Sequence, residues 1–137
     1  ADGESINWPT YDSFVRSCAL LLHSKDLGDR LVVQSFDVRA LAYMKERYPE
    51  FILSYLVDAK EPDFDTFMKK LKFTPEWLSP HHSITTEELV KKCREKGMKI
   101  VPWTVDTPED IKRMIDLKVD AIISNYPDRV ISQTRGY

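Results

Sequence analysis

Short apolar runs alternate with helical spacing along most of the chain. Residues 31–36 (Leu-Val-Val-Gln-Ser-Phe) form the first run, β-branched and too short for a helix. Residues 51–57 (Phe-Ile-Leu-Ser-Tyr-Leu-Val), 99–105 (Lys-Ile-Val-Pro-Trp-Thr-Val) and 121–124 (Ala-Ile-Ile-Ser) follow. Runs apolar on both faces suit parallel strands covered by helices better than half-solvated antiparallel ones. Residues 77–80 (Trp-Leu-Ser-Pro) could make an abbreviated further strand, but Pro80 argues against it, because proline cannot donate to a ladder.

Helix signals fill the gaps. Phe14, Val15, Cys18, Leu21 and Leu22 make an opening helix that stops near Gly28. Asp37 can cap a helix carrying Val38, Leu41, Ala42 and Met44, which ends before Tyr48-Pro49. A further helix is expected over residues 63–71. Thr86 precedes Leu89, Val90 and Cys93 at helical spacing, and Gly97 suits the left-handed residue that closes that helix. Thr107-Pro108 reads as an N-cap with proline at the first helical position, leading into Ile111, Met114 and Ile115. Strand, helix, strand, helix at this pace means βαβ units in an α/β fold with a parallel sheet.

Two architectures use that rhythm: an open doubly wound sheet and a (β/α) barrel. Neither GxGxxG nor GxxxxGK[ST] follows any strand, and four glycines leave little for a phosphate-cradling loop. A full barrel takes about 250 residues. At 137 residues, read as one domain (1–137), the chain would supply roughly half of one. Hydrophobic residues make up 42% and charged ones 31%, enough for a modest core. A net charge of −2 with both signs interspersed leaves no basic face, so nucleic acid is not expected as a partner. No apolar run approaches the roughly 20 residues of a membrane span. Cys18 and Cys93 fall within helical apolar patterns and read as core thiols.

The strand ends carry the chemistry. Gln34-Ser35-Phe36-Asp37, Leu56, Trp103-Thr104-Val105-Asp106 and Ser124-Asn125-Tyr126-Pro127-Asp128 occur in that order, each at the C-terminal end of its run. Lys96-Gly97-Met98-Lys99-Ile100 leads into the Trp103 run. From about Leu31 to Pro127, this resembles the later half of the glycerophosphodiester phosphodiesterases, with their Ser-Phe, Leu-bearing, Trp-Thr-Val-Asn and Thr-Asp-x-Pro strands. Asp106 stands where the family pattern has Asn, and Ser124-Asn125 where it has Thr-Asp.

The resemblance implies the C-terminal half of a TIM-type (β/α)8 barrel, lacking its N-terminal strands. It implies metal-dependent hydrolysis of glycerophosphodiesters to glycerol phosphate and an alcohol, with Phe36, Leu56 and Trp103 shaping the substrate site. A divalent cation, Mg²⁺ or Ca²⁺, and two histidines would serve the complete barrel. The family's His-Arg-Gly, Glu-x-Asp, His-Asp and Glu-x-Lys motifs do not occur upstream of Leu31, and Ala1-Asp2-Gly3-Glu4 resembles the loop after the fourth strand. No catalytic residue and no metal ligand is therefore assigned to this chain. Its expected partner is the N-terminal half of the barrel or a second copy. The alternative is a non-catalytic half-barrel that assembles or binds.

The remaining candidates read as structural. His81 and His82 are adjacent, so in extended backbone at most one faces a substrate, and they are taken as loop histidines. His23 falls near a helix end, and Trp8 and Trp77 are packing residues. Ser35 lacks a partner base and is read as a positioning residue. Asp37, Asp106 and Asp128 are read as helix caps, and Lys69-Lys70 and Lys91-Lys92 as solvated faces.

Overall fold

All but the last of the apolar runs become strands, which stand side by side in the order in which they occur in the chain. A computed structural model describes residues 31–61 and 63–135. The expected opening helix, with Cys18, and the readings of Trp8 and His23 lie outside the described residues. The elements are β1 (Val32–Ser35), α1 (Val38–Arg47), β2 (Ile52–Val57), α2 (Phe64–Lys70), β3 (Trp77–Pro80), a 3-10 turn (His82–Ile84), α3 (Glu87–Glu95), β4 (Lys99–Ile100), α4 (Pro108–Asp116) and α5 (Pro127–Thr134). The four strands pair in parallel in the order β1-β2-β3-β4.

That order never reverses, whereas an open doubly wound sheet turns back at a switch point. Helices α1, α2 and α3 also keep to one face. Leu41 and Met44 of α1, Phe64 and Phe67 of α2, and Leu89, Val90 and Cys93 of α3 pack with Leu53, Tyr55, Val57, Leu78 and Ile100 in one buried cluster. These strand residues alternate with Ser54, Leu56 and Ser79, which face the other way. One helix-covered face and sequential order give the parallel α/β arrangement of a (β/α) barrel.

Local signals behave as their chemistry dictates. Asp37 accepts from the Arg39 N–H, Asp63 from Thr66, Thr86 from Leu89 and Thr107 from Asp110, so each of the first four helices has a side-chain cap. Gly97 closes α3 with φ +73°. Its N–H donates to the Arg94 carbonyl at 3.0 Å and the Met98 N–H to that of Cys93 at 2.9 Å. Carboxylates terminate the ladder at the other end: Glu76 accepts from the Leu53 N–H at 2.9 Å and Asp120 from the Ile100 N–H at 2.8 Å.

The structure departs from expectation in three places. Residues 77–80 form an inner strand despite Pro80, because the proline occupies the last position. There its carbonyl still accepts from the Trp103 N–H at 3.1 Å, and His81 resumes donation to Val57 at 2.8 Å. The run at 99–105 is a strand only over Lys99–Ile100, with an isolated bridge between Trp103 and His81 beyond Pro102. Residues 121–124 are not a regular strand. They follow that run through the Asp120 N–H to Ile100, the Ile123 N–H to Pro102 and the Val105 N–H to Ile123, at 2.9–3.0 Å. Helix α5 starts one position before Asp128, and its N-cap is Tyr126, without a side-chain cap bond.

Candidate functional site

The register decides which side chains meet. Gln34 pairs with Ser54, Leu56 with Ser79, and His81 bridges Trp103. Phe36, Leu56, His81 and Trp103 therefore share one face, opposite the helices, at the C-terminal ends of the strands. In a barrel that is the inner face at the active-site rim.

Phe36 and Trp103 show how the sheet is curved. They belong to the first and fourth strand positions, roughly 14 Å apart on a flat sheet. Their ring centroids are 5.7 Å apart, edge to face at 83°. The sheet curls with this face inward. Phe36 is 52% exposed, so the ring pair stands at an open surface rather than in the core. Leu56, from β2, is half-buried. The Trp103 Nε1–H donates to the Ser79 carbonyl at 2.9 Å, which fixes the indole against β3. Beneath the rim, the Ser54 and Ser79 hydroxyls share a fully buried hydrogen bond of 2.8 Å.

His81 sits beside this wall. Its ring meets Trp103 at 4.9 Å and 88°, and that of His82 at 4.5 Å and 31°. Its Nδ1 accepts from the Ser83 N–H at 3.1 Å. His82 instead lies near Asp110 and Arg113, with its Nδ1 3.9 Å from the Asp110 carboxylate. Burial lowers the His82 pKa below the usual imidazole value, against the pull of Asp110. Arg113 donates to the carbonyls of Thr85 at 3.0 Å and His82 at 2.8 Å, tying the 3-10 turn to α4.

Asp106 corrects an expectation. It does not cap α4, because Thr107 does so. Its carboxylate accepts from the Asn125 N–H at 2.8 Å, Asn125 Nδ2 at 3.0 Å and Ser124 Oγ at 3.0 Å. The Asn125 backbone bond leads the interactions that hold its pKa below the usual carboxylate value. The two departures from the family pattern thus touch one another: carboxylate and carboxamide have exchanged places across one contact. Asp128 is not a cap either; it lies in the first turn of α5, where the helix dipole favours its charge. Asp37 is a cap, and Ser35 Oγ accepts from the Asp37 N–H at 3.0 Å, a local turn bond.

Among the described residues, no three His, Cys, Asp or Glu side chains converge as a metal site. These residues do not supply the donor set that a hard divalent cation requires. No helix among the described residues is long and apolar enough to cross a membrane. Sequence reasoning placed Phe36, Leu56 and Trp103, and the structure brings them to one face. It missed the rim position of His81, the Asp106 clasp and the Arg113 tie. The period-2 count from Ser79 to His81 was the available signal for the first.

A sequentially ordered parallel sheet with helices on one face and an aromatic rim on the other defines a segment of a (β/α) barrel. Residues 9–129 match the glycerophosphoryl diester phosphodiesterase family, and the chain belongs to it. A glycerophosphodiester phosphodiesterase of Caldanaerobacter subterraneus is 32% identical over 109 residues, covering 78% of this chain and 43% of that one. Its Bacillus subtilis counterpart is 26% identical, over 84% of this chain and 39% of that one. The chain therefore spans about 40% of these relatives' length. Among solved structures, a glycerophosphodiester phosphodiesterase from Parabacteroides distasonis superposes with a TM-score of 0.74 at 26% identity, over 92% of this chain and 52% of that one. An Oleispira antarctica phosphodiesterase, solved with its product sn-glycerol-3-phosphate, gives a TM-score of 0.73 at 22% identity, over 88% and 49%.

Proposed function

We propose that this chain forms the substrate-facing portion of a glycerophosphodiester phosphodiesterase, whose complete barrel adds water across the phosphodiester to release glycerol phosphate and an alcohol. The observation that carries this reading is the convergence of Phe36 and Trp103, with Leu56 on the same face, at the C-terminal rim of the parallel strands. An apolar wall of this kind packs against the carbon skeleton of a substrate and excludes water from one side of it. The sn-glycerol-3-phosphate held by the Oleispira antarctica protein supports a substrate of the same chemistry.

A phosphodiester carries a negative charge that repels a nucleophile. A divalent cation, Mg²⁺ or Ca²⁺, would neutralise that charge, and histidines would move the protons. Both come from barrel strands that residues 31–61 and 63–135 do not provide. The partner is then the N-terminal half of such a barrel.

Mixing the chain with the N-terminal strands of a relative, and assaying glycerophosphocholine hydrolysis with Mg²⁺ or Ca²⁺, tests the reading. Activity well above that of either part alone is expected. No gain, together with a stable self-assembly, would favour a non-catalytic half-barrel.

A further inference from the structure

We infer that His81 donates the hydrogen of its Nε2 to a non-bridging phosphoryl oxygen of the substrate. The inference rests on the phosphodiesterase reading and adds a polar contact to a wall that is otherwise apolar.

The first argument is tautomeric. The Ser83 backbone N–H donates to His81 Nδ1, and that nitrogen must present its lone pair. The Ser83 hydroxyl lies 2.8 Å from the same nitrogen. The neutral ring then carries its proton on Nε2. Among the described residues, Nε2 meets no acceptor. Nδ1 is thus held within the 3-10 turn, which leaves the Nε2–H open to a ligand.

The second argument is preorganisation. The His81 N–H donates to Val57 at 2.8 Å, and the His81 carbonyl accepts from Thr85 Oγ1 at 3.0 Å and the Ile84 N–H at 3.1 Å. The next residue, His82, donates its N–H to Trp103 at 2.7 Å, and Arg113 grips the His82 and Thr85 carbonyls. The backbone under the imidazole is therefore tied to β2, to the Trp103 run and to α4. The ring itself lies against Trp103 and His82. A donor fixed before the ligand arrives loses little entropy on binding.

The third argument is position. His81 shares its face with Phe36, Leu56 and Trp103, whose side chains offer carbon. The substrate's strongest acceptors are its charged phosphoryl oxygens, and an N–H aimed at such an oxygen forms a charge-assisted bond. His82 does not share this role. Its ring nitrogen is turned toward Asp110 and Arg113 on α4.

The test uses the reconstituted barrel described above with His81→Phe and His81→Gln. Phenylalanine keeps a flat ring against Trp103 and removes the donor; glutamine places an amide N–H near the position of Nε2. His81→Phe is expected to lower kcat/KM by about 10- to 100-fold, with His81→Gln within about threefold of the parent. A purely structural role would give the opposite ranking, because phenylalanine packs as histidine does. Independently of any variant, the His81 Nε2–H resonance should shift when sn-glycerol-3-phosphate is titrated into the unsubstituted barrel. A His81→Phe barrel as active as the parent, or no shift at saturation, overturns the inference while leaving the phosphodiesterase reading intact. An inactive parent barrel overturns both.

Discussion

Gly97 and Lys118 occupy the same backbone position, the left-handed residue that closes a helix, at the ends of α3 and α4. Their φ angles are +73° and +58°. In each, the N–H of that residue and the next reach back to the last turn: Gly97 to Arg94 and Met98 to Cys93, then Lys118 to Ile115 and Val119 to Met114. Glycine adopts this conformation freely, and lysine bears about 1–2 kcal/mol of strain there. Lys118→Gly should raise stability by about 0.5–1 kcal/mol, once the greater freedom of an unfolded glycine is subtracted. Gly97→Ala should lower it by about 1 kcal/mol, although an added Cβ would meet nothing within 4 Å. Urea midpoints at unchanged m-value measure both. Equal and harmless substitutions would refute the backbone account.

The buried Ser54–Ser79 pair predicts non-additivity. Either serine changed alone to alanine strands a hydroxyl inside the sheet, at a cost of about 1–3 kcal/mol. The double variant strands none, so it should lose clearly less than the two single losses together. A double-mutant cycle with no coupling would show that the hydrogen bond is replaced by other means.

Asp106 gives the rim clasp a pH dependence of defined sign. Its folded pKa is depressed, first by the Asn125 backbone N–H. Its contribution is thus complete above the unfolded value of about 3.9 and is lost as pH falls through the lower folded value. The stability gap between the parent and Asp106→Asn should be widest near neutrality and close in that acid range. A gap that stays constant down to the acid limit would assign the effect to shape rather than charge. Adding Asn125→Asp to Asp106→Asn should recover much of the loss.

Cys93 should behave as a core atom. Burial is the main cause that pushes its thiol up to about 12, with Asp120 adding to the shift and Arg94 opposing it. Iodoacetamide at pH 8 is expected to label it only in denaturant, with peptide mass spectrometry separating its signal from that of Cys18. Rapid labelling of the native chain would mean that α3 opens far more readily than its packing suggests.

Phe36 should separate function from stability. At 52% exposure, Phe36→Ala is expected to lower the unfolding free energy by about 1 kcal/mol or less, the scale of one lost aromatic pair. In the reconstituted barrel it should raise KM several-fold if the ring walls the substrate. An unchanged KM would remove Phe36 from the site.

Much of this architecture was legible because its signals are local. Asp37, Thr86 and Thr107 cap by hydrogen bonds within three residues, and Gly97 ends a helix through its own backbone. The strands at Val32 and Ile52 announced themselves by short apolar runs. What escaped depends on distance. Asp106 looked like a cap because nothing in sequence brings Asn125, 19 positions away, to its carboxylate. Pro80 looked like a strand breaker because its place at the strand's last position follows from pairing with β2 and β4. His81 looked like a loop residue until its bridge to Trp103 fixed the face it shares. Asp128 marked the region of α5 but misplaced its start, because the N-cap, Tyr126, makes no side-chain cap bond.

The alternation along β2 and β3 has a consequence for how this protein can vary. Leu53, Tyr55, Val57 and Leu78 hold the helices, while Ser54, Leu56, Ser79 and the rim beyond them face inward. Neighbouring positions therefore answer to different selective demands. Rim side chains can be exchanged without loosening the helical layer. In evolutionary terms, the scaffold can stay fixed while the inner rim drifts.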